Sequence, residues 1–232
     1  MNLIHKFYDT FISTGYYNLM LEGLKNTVII TLGALVIGVL IGTLIAVIKY
    51  FAEESPALKI PAVICDLYVT VIRGIPVVVL LLLFYYLIMK STDNGVLVGI
   101  ITFGVNSGAY MAELIRSGIQ AVDPGQNEAG RSLGLSRVQT MSKIVMPQAL
   151  RYILPAIGNE FIALLKETSV AGYVAVVDLT RAGNLVRNNT YDQFTPLVLL
   201  ALLYLAMVVL LTALLAKFEA KLARGMSKDG KA

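Results

Sequence analysis

The chain has 232 residues, of which 57% are apolar and only 15% are charged, and its mean hydropathy is +0.74. A soluble domain carries about 25% charged residues, so a soluble enzyme and a disordered chain are both excluded. The single cysteine excludes a disulfide framework and a multi-cysteine metal site. The single histidine, His5, argues against a histidine-based metal centre, so no metal site is expected.

Five stretches are long and apolar enough to be bilayer-crossing helices, which need about 20 mostly apolar residues. In chain order they cover residues 23–48, 61–89, 96–119, 153–177 and 194–215, with boundaries approximate. The fourth is the most polar, so four spans with a re-entrant segment is the alternative. The strands of a membrane β-barrel would instead be short, with apolar and polar residues in alternation, so helices are the spanning structure that these stretches predict. The predicted fold class is therefore an all-α, polytopic membrane protein with a single transmembrane domain over residues 1–232.

An amphipathic segment, residues 1–21, precedes the first predicted span. Its apolar residues recur at helical spacing among polar ones, which predicts a short helix lying in the membrane interface. These residues are Leu3, Ile4, Phe7, Tyr8 and Phe11. The pattern of a cleaved signal peptide is missing, so none is expected.

The distribution of basic residues predicts the orientation of the chain, because Lys and Arg accumulate on the cytoplasmic side. With five spans and the N-terminus outside, twelve of the 19 Lys and Arg residues fall in inner segments and five in outer ones. Arg73 and Lys166 then lie inside spans. The N-terminus is predicted outside and the C-terminus in the cytoplasm. In a polytopic membrane protein this charge pattern does not indicate a nucleic-acid partner.

The inner segment at residues 123–147, called the 123–147 loop below, contains signals for helix starts and stops. Asp123 followed by Pro124 predicts an N-cap with proline at the first helical position. Gly134 is placed where a helix ends in a left-handed residue. The first half of the loop is therefore predicted to be a short capped helix.

A second helix is predicted to begin at Ser136, with Gln139 three residues later as in a capping box. Its apolar stripe consists of Val138, Met141, Ile144 and Val145, and Pro147 is expected to end it. Two readings of such a preformed loop stay open. It is a docking element that faces the cytoplasm, or it packs back on its own spans.

The loop resembles the Glu-Ala-Ala segment of ATP-binding-cassette (ABC) importer permeases. Here the pattern stands as Glu128-Ala129-Gly130, then Gly134, then Ile144-Val145-Met146-Pro147, with Gly130 and Met146 departing from it. Other segments, in the same order, resemble the polar amino acid permease group of this family. They are Glu22–Thr27, Arg73–Pro76, Ala109–Glu113, Arg116–Ile119, Pro147–Arg151 and Asn159–Ser169.

The resemblance implies a type I importer permease fold, similar to the MetI-like transmembrane domain, in a bacterial inner membrane. It implies a dimer with a second copy or a homologous permease, a pair of cytoplasmic ATP-binding subunits, and an extracytoplasmic binding protein that delivers a polar amino acid. It also assigns the contact with the ATPase to the loop. The residues concerned are Glu128, Ala129, Gly130, Gly134 and Leu135.

The sequence has no G-x-x-x-x-G-K-[ST] phosphate-binding loop. We therefore expect this chain to be no enzyme and to bind no cofactor itself. ATP and magnesium are expected on the partner ATPase subunit, which would supply the energy for transport.

Polar residues inside predicted spans mark a candidate substrate path, because they are costly in a bilayer. The candidates are Asn106, Ser107, Tyr110, Asn159, Glu160 and Glu167. The alternative is that these groups hydrogen-bond one another between helices. An amino acid carries an ammonium and a carboxylate, which such groups can bind.

Three further patterns have structural interpretations. Glu113 and Arg116 are predicted to form an ion pair near the inner end of the third span. The run Arg73–Pro76 is predicted to break the second span, with a substrate site as the alternative. The motifs Gly38-x-x-x-Gly42 and Gly104-x-x-x-Gly108 are predicted to pack helices closely.

Two other functions are weighed against the importer permease. An ion-gradient-driven secondary amino acid transporter or channel would fit the composition, but the hydropathy shows no two-fold repeat. An intramembrane enzyme would need a nucleophile with a base or a metal cluster, and the sequence offers neither arrangement.

Overall fold

The computed structural model of the chain describes residues 3–53 and 55–229. The ten α-helices of this part are α1 Leu3–Phe7, α2 Tyr16–Ala52, α3 Lys59–Gly74, α4 Val77–Leu83, α5 Gly95–Gln120, α6 Pro124–Ser132, α7 Arg137–Thr140, α8 Met146–Glu167, α9 Leu179–Thr190 and α10 Thr195–Asp229. Three π turns follow α1, α4 and α7 at Tyr8–Ser13, Phe84–Ile88 and Met141–Val145, and 3-10 turns cover Pro56–Leu58 and Thr168–Val174. The all-α prediction is confirmed.

The bundle has two ends. We call the end that carries the 123–147 loop the loop end, and the opposite end, where α9 lies, the far end. Helices α2, α5 and the part of α10 at Thr195–Leu222 are each long and apolar enough to cross a membrane, and α3 with α4 passes as one bent pair. The polytopic character is thus confirmed. The count of five spans stays a prediction, because the described helices that pass number three, or four with the bent pair.

The second predicted span is sharply broken. Helix α3 ends at Gly74, Ile75 is extended with φ −102° and ψ 130°, and α4 begins after Pro76. The residue before a proline is pushed out of the helical region by the proline ring. The break predicted at Arg73–Pro76 is confirmed. It turns the chain by 106°, so residues 61–89 are not one straight span.

Helices α2 and α5 pack against each other through small residues. Both Gly-x-x-x-Gly motifs lie in this contact: Gly38 and Gly42 on α2, and Gly104 and Gly108 on α5. A Cβ at Gly38 would lie 2.8 Å from the Oγ of Ser107, and one at Gly42 would lie 2.8 Å from the backbone nitrogen of Ala112. Only glycine permits this approach, so the predicted role in helix packing is confirmed.

Helix α9, near the far end, was not predicted from the sequence. Its N-cap is Asp178, a buried residue whose carboxylate accepts hydrogen bonds from the backbone N–H groups of Thr180 and Arg181. The helix is polar overall, with only Leu179, Ala182, Gly183 and Val186 buried. Low hydropathy concealed it, although an aspartate before a spaced apolar pattern is a helix-start signal.

A polar stretch in the first third of α2 holds α9 in place. The Asn26 side chain donates a hydrogen bond to the carbonyl of Val177 (2.9 Å), and the Leu179 N–H donates to the Thr27 hydroxyl (3.0 Å). A Cβ at Gly23 would lie 2.7 Å from the carbonyl oxygen of Asp178. The segment Glu22–Thr27 therefore includes part of the surface on which the start of α9 is seated.

The N-terminal segment packs against α9 and α10 through one face. Gly15, with φ +76°, separates its helical part from α2, so residues 16–21 belong to α2. Phe11 is 2% exposed in a cluster with Leu179 and Val186, whereas Tyr8 is exposed. The predicted helix is present, but its apolar face is partly used within the protein. Residues 1–2 and 230–232 lie outside the described residues.

An ion pair fastens this segment to the start of α10. The Lys6 ammonium lies 3.2 Å from Asp192. Burial alone would raise the pKa of the Asp192 carboxyl. The Thr195 side chain, the N–H groups of Thr195 and Phe194, and Lys6 outweigh burial and lower this pKa to about 2. The carboxylate is therefore ionised at neutral pH and keeps Lys6 bound.

We expect Gly42→Ala to destabilise the protein, because the new Cβ would meet the backbone of α5. Overpacking of this kind costs about 1–3 kcal/mol, or roughly 5 °C in the apparent melting temperature of the chain in detergent. Gly74→Ala is the matched control, since a Cβ there meets nothing within 4 Å. Equal melting temperatures for the two variants would contradict the close α2–α5 contact.

Candidate functional site

The first half of the 123–147 loop is the predicted capped helix. Asp123 caps α6 by accepting a hydrogen bond from the N–H of Gly125 (2.8 Å), and Pro124 occupies the first turn. Gly134 has φ +83°, in the left-handed region that favours glycine. Both predicted ends of this helix are confirmed.

The second half begins as predicted and ends differently. Ser136 and Gln139 form a capping box, with bonds of 3.2 Å from the Gln139 N–H and 2.9 Å from the Ser136 N–H. The expectation that Pro147 ends this helix is wrong. The π turn Met141–Val145 continues α7 directly into α8, and Pro147 lies in the first turn of α8. The wider turn accommodates the proline, and residues 137–167 form one helical run.

One face of the loop packs on the bundle. Its Met141 and Val145 form a cluster with Val122, with Ala46 of α2 and with Ile115 of α5. Gly130 is also turned inward, because a Cβ there would lie 2.7 Å from the Cγ2 of Thr140. Gly130, one of the predicted coupling residues, therefore holds the two short helices together.

The opposite face of the loop is exposed and partly apolar. Leu133 is 80% exposed and Val138 is 59% exposed. Glu128, Ala129 and Gly134 are exposed too, and Leu135 is half-buried. The reading that the loop packs on its own spans therefore holds for the inner face, and the docking reading stays a prediction that concerns the exposed face. Val138 belongs to the apolar stripe predicted for the second helix, but it is exposed on the opposite face from the buried Met141 and Val145. Leu133 was not predicted, although an apolar residue beside a helix-ending glycine is a usable signal.

Four of the six path candidates meet where α5 faces α8. The hydroxyl of Ser107 donates a hydrogen bond to Glu160 (3.1 Å), and the amide of Asn106 donates to Glu167 (3.3 Å). Ser107 and Asn106 are buried, and both glutamates are half-buried. These contacts match the interhelical hydrogen bonding of the alternative reading, while the partial exposure of the carboxylates leaves them reachable from one side.

The other two candidates lie apart from this cluster. The guanidinium of Arg73 lies 5.1 Å from the ring centre of Tyr110, within the range of a cation–π contact. Asn159 is exposed on α8, as is Lys166 seven residues later. Arg73, at the break before α4, is thus brought beside a path candidate, so the interpretation of its motif as a substrate site remains open beside the confirmed break.

The predicted ion pair at the loop end of α5 is confirmed. Arg116 lies 2.7 Å from Glu113. Lys49 of α2 joins it, at 3.8 Å from Glu113 and 2.6 Å from Asp66 of α3. The sequence did not indicate that Lys49 links three helices, because residues 49, 66 and 113 are far apart along the chain.

Comparison with known proteins agrees with this architecture. A protein of Rickettsia bellii that carries the name of a glutamine transport system permease is 35% identical over 206 residues, covering 88% of this chain and 92% of that protein. The arginine transport system permease protein ArtQ of Bacillus subtilis is 32% identical over 207 residues, with the same coverage.

Two solved structures extend the likeness to three dimensions. One, described as an amino acid ABC transporter with histidines, is 40% identical with a TM-score of 0.81, covering 90% of this chain and 96% of that one. An inward-facing MetNI methionine ABC transporter is 19% identical with a TM-score of 0.74, covering 88% and 96%, and supports the fold alone.

The family model that matches is the binding-protein-dependent transport system inner membrane component, over residues 38–224. This range contains the glycine contact of α2 and α5, the loop and the polar cluster. The chain therefore belongs to the family of inner membrane components of binding-protein-dependent transport systems.

Proposed function

We propose that this chain is the permease subunit of an ABC importer for a polar amino acid. The observation that carries the proposal is the preformed, partly apolar loop face around Leu133 in a chain of this family. The amino acid cargo is supported by relatives named for glutamine and arginine transport and by the 40% identical amino acid transporter.

The loop is the contact with the cytoplasmic ATPase. Glu128, Ala129, Gly134 and Leu135 border the exposed face, with Leu133 and Val138 as its apolar anchors. Gly130 acts from beneath by letting α6 and α7 touch. A face of fixed shape loses little conformational entropy on binding, so it suits repeated engagement with a moving partner.

The path for the amino acid runs along α5 and α8. Glu160 and Glu167 would attract a cationic group, the ammonium common to all amino acids, while Ser107 and Asn106 hold the carboxylates in place. Tyr110 and Asn159 extend the path from this cluster. Because hydrogen bonds between protein groups have a small net value, a substrate can replace them at modest cost.

The same proposal includes the orientation of the chain in the membrane and its partner subunits. The N-terminus lies outside and the C-terminus inside, so the loop end faces the cytoplasmic pair of ATP-binding subunits and the far end faces the solute-binding protein. A second permease, identical or homologous, completes the dimer. ATP and magnesium bind to the ATPase subunits, and this chain contributes no catalytic residue.

Reconstitution tests the proposal directly. We expect uptake of labelled amino acid into proteoliposomes to require the ATPase, its binding protein and ATP, because the chain has no energy source of its own. The control is the chain alone with an imposed ion gradient. Uptake under that control condition would favour the secondary transporter and contradict the importer.

We expect Leu133→Asp and Val138→Asp to weaken binding to the ATPase, since each places a charge on the docking face. An interface anchor is worth about 2 kcal/mol, which corresponds to about 30-fold in affinity. Titration of a labelled ATPase against the purified permease measures this affinity. Asn188→Asp, at an exposed far-end position, is the control. Unchanged affinity for both loop variants would remove this face from the contact.

We expect Glu160→Gln and Glu167→Gln to lower ATP-driven uptake by about tenfold, because each variant loses a charge-assisted hydrogen bond to the ammonium of the substrate. Such a bond is worth about 1.5 kcal/mol. Glutamine keeps the size of the side chain and an oxygen that accepts from Ser107 or Asn106, so assembly should persist. Glu219→Gln on α10 controls for loss of a carboxylate elsewhere. Wild-type uptake in both variants would leave these groups as interhelical contacts.

A further inference from the structure

Arg137, in the first turn of α7, ties the loop to the loop end of α2. Its guanidinium donates hydrogen bonds to the carbonyl of Tyr50 (2.7 Å) and to the carboxylate of Glu53 (2.6 Å). The same guanidinium lies 4.2 Å from the centre of the Tyr50 ring. Its side chain is only 13% exposed, whereas Glu53 is largely exposed. The backbone and ring of Tyr50 are therefore the sheltered part of this contact.

The chemistry of the contact requires arginine. The last carbonyl groups of a helix lack partners within it and carry partial negative charge, so a cation placed there is stabilised. A guanidinium offers several donors in one plane and can stack on an aromatic ring at the same time. A lysine could keep the charge but could not make all three contacts with Tyr50 and Glu53.

Side-chain packing alone does not hold the loop at this point. An open cavity of about 220 Å³ lies on one side of Tyr50, lined also by Asn127 and Met141 of the loop. A second cavity of about 250 Å³ is lined by Tyr50 with Lys49 and Gln120. Dispersion contacts are lost where such gaps open. The polar contacts of Arg137 therefore add to the apolar cluster of Met141 and Val145 with Ala46, at the place where cavities open beside Tyr50.

The end of α2 that Arg137 contacts is also connected to α3 and α5. Lys49, in its last turn, binds Asp66 of α3 and lies 3.8 Å from Glu113 of α5, which in turn binds Arg116. Through its glycines, α2 is packed on α5 as well. A force applied to the loop enters the bundle along the chain, into α5 on one side and through the helical run into α8 on the other. The contacts of Arg137 add a route into the end of α2, which is joined to α3 and α5.

We propose that Arg137 is a positioning residue that makes the loop, α2 and α5 move as one body when the ATPase pulls on the loop. This rests on the proposed role of the loop as the ATPase contact. Without Arg137, the loop keeps its chain connections to α5 and α8 and its apolar cluster with Ala46, but it loses its charged contact with the end of α2. Motion of the ATPase then shifts the loop against α2 instead of moving α2 with it, and ATP hydrolysis is separated from uptake.

The test compares uptake with ATP consumed in the full reconstituted complex. For Arg137→Gln we expect uptake per ATP hydrolysed to fall by about tenfold, within the range usual for coupling between two sites. ATPase binding and basal hydrolysis should stay unchanged. Arg137→Lys should fall between the two, since it keeps the charge alone. Lys143→Gln, an exposed cation of the same loop, is the matched control and should behave as wild type.

A chemical rescue separates attachment from a general effect on folding. In a Cys65→Ala background, Arg137→Cys should lose coupling, and bridging it to Glu53→Cys with a short thiol crosslinker should restore uptake per ATP. Failure of the bridge to restore coupling, or a wild-type ratio in Arg137→Gln, overturns the inference. Absence of ATP-dependent uptake in the wild-type complex would instead overturn the proposed function.

Discussion

The close contact between α2 and α5 is the constraint on which the other helices depend. Lipid tails are as apolar as leucine, so helices in a bilayer associate through close packing and hydrogen bonds. Four glycines bring these two backbones together, and residues of α5 such as Phe103 and Met111 become fully buried. The remaining helices are placed against this pair. The Tyr68 hydroxyl of α3, for example, donates a hydrogen bond to the carbonyl of Val105 (2.6 Å).

The same contact places the polar cluster. Ser107 is held against Gly38 on one side and donates to Glu160 on the other, so the glycine that admits α5 also fixes the position of the hydroxyl. The two glutamates lie seven residues apart on α8 and thus share a face, each opposite a buried donor of α5. Rigid packing on one side of α5 therefore orients partly exposed carboxylates on its other side.

The sequence predicted the features that rest on local chemistry. The Asp123 cap, the left-handed Gly134, the Ser136 capping box and the break before Pro76 all depend on a few neighbouring residues. It did not predict contacts between residues distant in the chain, such as Lys49 with Asp66. Helix α9 was missed because its stability comes from tertiary contacts with α2, which neither hydropathy nor composition records.

The course of the chain at Pro147 changes what the loop is in mechanical terms. Proline usually ends a helix because it lacks an N–H and its ring meets the carbonyl four residues earlier. A π turn directly before it relaxes that local geometry, so the helical run continues from Arg137 to Glu167. The second half of the loop is then the first part of the run that contains α8, and not a flexible connector. A helical run can still bend at a π turn. The attachment of Arg137 to Tyr50 lies on the side of that turn away from α8 and opposes such bending.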